Sequence, residues 1–318
     1  MRVIIQKNLY DRGKVVFEAS IKEYNIEYLV LNEMDEQAML EYHQQGVSCF
    51  VIGTGKLSDN FYNSLSEGSA IIRYGVGYNS IPIDICLMRN IKVAYTPGTL
   101  TESVAEHTFA LLLGLARNIP TLDNSIQTGK WEGLSGIELN GKTIAILGFG
   151  QIGQAVARIA KYGFSMKVKA FDIYLHQNQQ LADVLSDNFA NVACDADVVS
   201  LHMPAIPETM GFLNAERIDM CKDGVFIINT ARGELVVEKD LFDALQSRKV
   251  AKAALDVFNK EPYNPDPGID FRKLDNVLMS PHCGSNTKEA NEKMAKVVVN
   301  NILAYKNGGE MILIPEFQ

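Results

Sequence analysis

Residues 143 to 160 read Thr143-Ile144-Ala145-Ile146-Leu147-Gly148-Phe149-Gly150-Gln151-Ile152-Gly153-Gln154-Ala155-Val156-Ala157-Arg158-Ile159-Ala160. The first five have the composition of a buried strand, and the apolar residues after Gly150 fall at helical spacing. A G-x-G-x-x-G string alone carries little, because glycine is common in turns. Here a strand leads into it and a helix opens inside it, which is the context that gives the pattern meaning. Gly148 permits the tight turn, Gly150 lets backbone approach a pyrophosphate, and Gly153 lets the helix pack on the strand. Gln151 and Ile152 begin the helix, where unpaired N–H groups and the positive dipole end face phosphates. A second apolar run, Val168 to Phe171, ends on Asp172, nineteen residues after Gly153. A carboxylate there can bind the ribose hydroxyls of NAD. An ordinary glycine turn or a surface aspartate would explain either feature singly, but not strand, glycines, helix and acid in that order.

The rest of the chain is that of a globular α/β protein of about two domains. Of its 318 residues, 47% are hydrophobic and 21% charged, and the net charge is −8. An acidic chain without a basic run is not expected to bind nucleic acid. No apolar run approaches the roughly 20 residues of a membrane span, and the N-terminal run is too short for a signal peptide. The five cysteines, Cys49, Cys86, Cys194, Cys221 and Cys283, are scattered without a C-x-x-C pair. They read as free thiols of a cytoplasmic protein, and no metal is expected.

Before the glycine turn, Val3–Ile5, Tyr28–Leu31, Cys49–Ile52 and Ala70–Ile72 read as strands separated by helix-length segments, among them Glu33 to His43. That rhythm predicts a parallel sheet. Gly75-Val76-Gly77 follows the last of these strands, where backbone N–H groups can face an anion. Tyr95-Thr96-Pro97-Gly98 marks a boundary. Ser103-Val104-Ala105-Glu106 has capping-box spacing, so a helix is expected to start on Ser103. It is apolar nearly all round to Arg117, which asks for burial between layers, between domains or in a dimer.

After the turn the α/β rhythm resumes. Strands ending near Leu201, Asn229, Leu255 and Ser280 each hand a polar residue to the edge where such sheets hold ligands: His202, Thr230 to Arg232, Asp256 and His282. Arg232 offers a planar fork for a carboxylate. His282 can carry a proton near neutral pH. Glu261, in a loop past the third strand, could orient that imidazole and favour its charged form. Singly, an arginine or loop glutamate is usually a solvated charge and a histidine a structural residue. A final amphipathic helix, about Lys288 to Tyr305, closes the chain.

Four segments carry a family resemblance: Leu147 to Gly153, Asn229 to Val236 (NTARGELV), Ala254 to Pro262 (ALDVFNKEP) and Pro281 to Thr287 (PHCGSNT). In this order the chain resembles the D-isomer-specific 2-hydroxyacid dehydrogenases along nearly its whole length. The resemblance implies an α/β architecture of two doubly wound parallel-sheet domains. A Rossmann cofactor domain, residues 99–287, is inserted into a flavodoxin-like substrate domain, residues 1–98 and 288–318. It implies that Arg232 binds substrate, that His282 is the acid/base and that Glu261 is its partner. Thr230, Ala231, Arg232, Asp256, His282 and Gly284 would face the nicotinamide. His202, Met203, Pro204 and Thr209 would line the adenosine side, Thr108 would touch the cofactor, and Gly75, Val76 and Gly77 would hold the substrate carboxylate. Val237 stands where the family usually has Asp, and Cys283 beside the histidine is unusual. Formate dehydrogenase relatives share the look of Ser103 to His107 but pair the histidine with Gln, so Glu261 argues against that activity.

The expected chemistry is NAD-dependent interconversion of a small 2-oxo acid and its D-2-hydroxy acid, in a homodimer. Two relatives of the same look remain alternatives: a 3-phosphoglycerate dehydrogenase and an NAD-sensing corepressor. Phosphoglycerate dehydrogenases of this look carry an arginine in the loop after the strand matching Cys49 to Ile52. Here that loop, Gly53 to Ser58, has Lys56 instead, and Arg73 lies on the next strand.

Overall fold

The computed structural model describes residues 1–174 and 180–317. The chain divides into two compact units, one of Met1–Leu100 with Asn286–Gln318 and one of Thr101–Ser285.

The first unit is built on β1 (Arg2–Gln6), β2 (Glu27–Leu31), β3 (Cys49–Ile52), β4 (Ala70–Arg73) and β5 (Lys92–Ala94). They pair in parallel in the order β2-β1-β3-β4-β5, the flavodoxin-like arrangement. Strands β3 and β4 are buried at every residue. That is why they read as unbroken apolar runs rather than as alternating ones. Phe50, Phe61 and Tyr62 fill the core on one face. The helix Lys288–Asn307 belongs to this unit and buries Ala290, Met294, Val298 and Ile302. It packs on the helix Lys14–Tyr24 and on β4.

The second unit holds β6 (Thr143–Leu147), β7 (Lys167–Phe171), β8 (Val184–Ser186), β9 (Val198–Leu201), β10 (Val225–Asn229), β11 (Val250–Leu255) and β12 (Val277–Met279). Their order is β12-β11-β10-β9-β6-β7-β8, all parallel. Counted from β6, this is the 3-2-1-4-5-6 order of a dinucleotide-binding sheet with one further strand. Successive residues of β6 serve opposite faces: Ala145 and Leu147 join one core, Ile144 and Ile146 the other. The direction of winding reverses between β6 and β9, which opens a crevice at their carboxyl ends.

The helix after the boundary spans Thr101–Ala116 and buries Ser103, Val104, Phe109, Leu112 and Leu115. Ser103 is therefore not the cap expected from its spacing with Glu106. The helix begins two residues earlier, and Ser103 lies within its first turn. Its apolar sides are satisfied inside the unit, against β10, β11 and the helix Gln151–Arg158. Among the described residues, no helix is long and apolar enough to cross a membrane.

Candidate active site

The crevice of the second unit is shaped by glycines at its floor. Gly148 has φ +94°, and a Cβ there would lie 2.7 Å from the backbone of His202 and Met203. The end of β9 thus presses directly on the turn after β6. A Cβ on Gly153 would sit 2.1 Å from the Gly148 carbonyl oxygen, so any side chain would push the helix off the strand. Around Gly150, in contrast, nothing lies within 4 Å of the Cβ position. The helix Gln151–Arg158 starts from Gly150 without a side-chain cap, leaving first-turn N–H groups, among them those of Gln151 and Ile152, to face a phosphate. Asp172 closes the turn: Oδ2 accepts the Phe149 N–H at 2.7 Å and Oδ1 the Tyr174 N–H at 2.9 Å. Open space at Gly150, an uncapped helix end and an acid beside them fit a dinucleotide.

Beyond β9, His202 accepts or donates through Nε2 to Ser200 Oγ at 2.8 Å. Its Nδ1 is buried without a protein partner. Burial pushes its pKa down to about 3, so the ring is neutral. Met203 is buried and Pro204 exposed. Thr209 staples the following loop, donating to the Pro204 carbonyl at 2.6 Å and accepting from the Ile206 N–H at 2.9 Å.

At the end of β10, Asn229 ties the turn through its side chain, donating to the Arg232 carbonyl at 2.8 Å and accepting the Ala231 N–H at 3.0 Å. The Thr230 hydroxyl meets that of Thr108 at 2.9 Å. The turn projects Arg232, whose pKa burial lowers while the charges of Glu234 and Glu261 oppose the shift.

Past β11, the Asp256 carboxylate is 1% exposed. Oδ1 accepts Ser280 Oγ at 2.6 Å and the Cys283 N–H at 3.0 Å, and Oδ2 accepts the Gly284 N–H at 2.9 Å. His107 Nε2 stands 3.3 Å from Oδ1. Burial acts to raise the Asp256 pKa, but hydrogen bonds from His107, Ser280 and the two backbone N–H groups outweigh it and hold it at about 2. The backbone of Asp256 also accepts the His282 N–H at 2.7 Å. One residue therefore anchors the 282–284 loop, where His282 takes a left-handed φ of +49°, a conformation that needs such support. The loop aims His282 at Glu261: Nδ1 and Oε2 are 2.6 Å apart. With Nδ1 occupied, Nε2 is the atom left to exchange a proton with a bound molecule.

Asn229, Ser280 and His107 had no signal of their own in the sequence. Each acts by holding a neighbour distant in the chain or, for Asn229, by a turn bond that only the folded loop reveals.

In the first unit, Gly75 has φ +140°. Its N–H is already donated to Thr96 Oγ1 at 3.0 Å, so it is not free for an anion as its sequence position suggests. Val76 and Gly77 donate to no protein acceptor among the described residues. Arg73, 4% exposed, supports this loop from within its own unit, donating Nε to the Gly77 carbonyl at 2.6 Å.

A reversed parallel sheet, a glycine turn with its acid, and a histidine–carboxylate pair at a strand end are the parts of a dinucleotide-dependent dehydrogenase. Residues 109–284 match the family model "D-isomer specific 2-hydroxyacid dehydrogenase, NAD binding domain". A glyoxylate reductase of Pyrococcus furiosus is 33% identical over 96% of this chain and 93% of its own length. A D-3-phosphoglycerate dehydrogenase of Archaeoglobus fulgidus is 34% identical over 93% of this chain, which spans only 58% of that protein. The crystal structure of an NADPH-dependent glyoxylate/hydroxypyruvate reductase from Sinorhizobium meliloti, in complex with NADP and malonate, superposes with a TM-score of 0.85. It is 27% identical, covering 99% of this chain and 97% of that one. The chain belongs to the D-isomer specific 2-hydroxyacid dehydrogenase family, and so to the oxidoreductases that use a nicotinamide dinucleotide.

Proposed function

We propose that this protein reduces a small 2-oxo acid to its D-2-hydroxy acid with NADH, and runs the reverse reaction with NAD. The observation that carries this reading is the His282–Glu261 pair, 2.6 Å apart, with the Arg232 charge acting on the same carboxylate. The bound dinucleotide supplies the hydride from its nicotinamide ring. Arg232 binds the substrate carboxylate and polarises the carbonyl with its fork of donors. His282 delivers a proton from Nε2 to the substrate oxygen in reduction and removes it in oxidation, while Glu261 balances the imidazolium.

Gly148, Gly150, Gln151, Ile152 and Gly153 are assigned to the pyrophosphate and Asp172 to the ribose. His202, Met203, Pro204 and Thr209 are assigned to the adenosine side. Thr108 is assigned to the cofactor, and Thr230, Ala231, Arg232, Asp256, His282 and Gly284 to its nicotinamide side. Turnover of NADH against glyoxylate, hydroxypyruvate and pyruvate tests the activity. His282→Ala is expected to lower kcat by about 10²–10⁴-fold while NADH still binds. Near wild-type turnover in that variant would remove His282 from the mechanism.

The protein is further proposed to be a cytoplasmic homodimer. Five unpaired cysteines suit a reducing compartment. The helix Thr101–Ala116 is satisfied within its own unit and argues nothing about assembly. The segment after it does: Trp131 is 93% exposed, with Ile119, Ile126 and Leu134 each more than half exposed. So many large apolar groups over one stretch are characteristic of a protein interface. Light scattering at micromolar concentration should give twice the 35.2 kDa chain mass; the monomer mass would contradict it.

A further inference from the structure

Three donors from distant parts of the chain converge in the second unit. His107 comes from the helix Thr101–Ala116, Asp256 from the end of β11, and Cys283 from the loop after β12. His107 Nε2 is 3.3 Å from Asp256 Oδ1, and Cys283 Sγ is 3.6 Å from the same oxygen. All three donor atoms lie within 4.8 Å of one another. Tetrahedral zinc, with Zn–N and Zn–O bonds near 2.1 Å and Zn–S near 2.3 Å, sets its N···O edge at about 3.4 Å and its S···O edge at about 3.6 Å. The two measured edges already have those lengths. The donor set of imidazole, carboxylate and thiolate is one that selects zinc-like cations over magnesium or calcium.

We propose that His107, Asp256 and Cys283 form a binding site for a thiophilic divalent cation of the Zn²⁺ type, with water as the fourth ligand. On binding, the Cys283 thiol releases its proton to solvent and its sulfur lone pair forms the metal bond. His107 shifts to the tautomer with hydrogen on Nδ1 and presents the Nε2 lone pair. At Asp256 Oδ1 the cation replaces the Ser280 hydroxyl and the His107 N–H, Oδ1 keeps the Cys283 N–H on its second lone pair, and Oδ2 keeps the Gly284 N–H. Burial and the Asp256 charge both raise the Cys283 pKa. A divalent cation reverses the second effect, since it neutralises the carboxylate that disfavours the thiolate. The His107 side chain is 21% exposed and Cys283 is partly exposed, while Asp256 is buried. Positions 107, 256 and 283 are too far apart to show as a metal motif in sequence.

The cation would compete with the dinucleotide if Asp256 and Gly284 face the nicotinamide, which rests on the function proposed above. Binding is therefore measured without turnover. The protein, reduced and stripped with a chelator, is titrated with Zn²⁺ alone by calorimetry, and with Co²⁺ to read thiolate-to-metal charge transfer and tetrahedral d–d bands. One equivalent of Zn²⁺ is expected, with the Co²⁺ bands. Cys283→Ala should abolish the bands and weaken zinc by more than about 100-fold, beyond what loss of an outer-shell contact costs. His107→Gln gives a second variant should the first be poorly folded, and it should weaken zinc while keeping the thiolate band diminished. No stoichiometric zinc in the wild type, or equal zinc affinity in wild type and both variants, would overturn the site. Zinc bound as described but with unchanged NADH affinity would leave the site standing and remove Asp256 from the nicotinamide assignment instead.

Discussion

The Nδ1 atom of His282 and the Oε2 atom of Glu261 are 2.6 Å apart, and the other oxygen of Glu261 accepts the Phe258 N–H at 3.0 Å. Burial acts to raise the Glu261 pKa, yet His282, the Phe258 N–H and the Arg232 charge together lower it below the usual carboxylate value. Glu261 is thus a fixed negative charge at neutral pH, and the imidazolium form of His282 has a permanent counter-ion. Glu261→Gln keeps the shape and a hydrogen-bonding oxygen but removes the charge. The ring then loses the charge that orients it and balances the proton it delivers. The kcat for 2-oxo acid reduction should fall while NADH affinity is kept. A kcat unchanged from wild type counts against the pair.

Asp172 is held by two N–H groups, one of them inside the glycine turn at Phe149. A carboxylate oxygen has lone pairs to spare after one such bond, so ribose hydroxyls can still donate to it. A 2′-phosphate would meet its negative charge, and the following Ile173 and Tyr174, both well exposed, bring no positive charge to offset it. The kcat/KM for NADH should exceed that for NADPH. Equal or better use of NADPH would refute this role for Asp172.

Strands such as β3, β4, β6 and β10 were legible in the sequence because they are buried on two faces and leave continuous apolar runs; β5 and β8, three residues each with an exposed first residue, left no such run and were missed. The glycine turn and its acid were legible because they are local in the chain. What stayed hidden depends on partners across the fold. Ser103 has the spacing of a cap, but the chain enters the helix at Thr101, so spacing alone misplaced the start. Gly75 reads as a free donor until Thr96, from the end of the next strand, takes its N–H. Asp256 reads as a strand-end acid, and only the folded loop makes it the anchor of residues 282–284.

His202 gives a pH dependence of known sign. Its folded pKa is pushed by burial from 6.5 to about 3. In the unfolded chain the ring takes a proton below its ordinary pKa, whereas the folded chain refuses it. The stability from keeping the ring neutral is therefore complete above pH 6.5 and is lost as pH falls toward 3, by at most about 1.4 kcal/mol per pH unit. His202→Gln has no such proton to gain. Between pH 7.5 and 5.5 the wild-type Tm should fall more steeply than that of the variant; parallel slopes would show that His202 is not held neutral.

A phosphorylated 2-oxo acid brings a second dianionic group, which needs a cation of its own, best met by a bidentate guanidinium. Arg73, the arginine on β4, is engaged within its own unit. It is buried and donates Nε to the Gly77 carbonyl at 2.6 Å and Nη1 weakly to the Ile52 carbonyl at 3.4 Å. Its job is to brace the loop of residues 75–77. In the loop after β3 only Lys56 carries positive charge, and it is exposed. An ammonium on a flexible stem, fully hydrated beforehand, gains little by meeting a phosphate in water. Glyoxylate, hydroxypyruvate or pyruvate should therefore be reduced with higher kcat/KM than 3-phosphohydroxypyruvate, and Lys56→Ala should leave their rates unchanged. A kcat/KM for the phosphorylated acid tenfold above all three, about 1.4 kcal/mol of transition-state preference, would reverse the assignment. Loss of that advantage in Lys56→Ala would then identify Lys56 as the phosphate ligand.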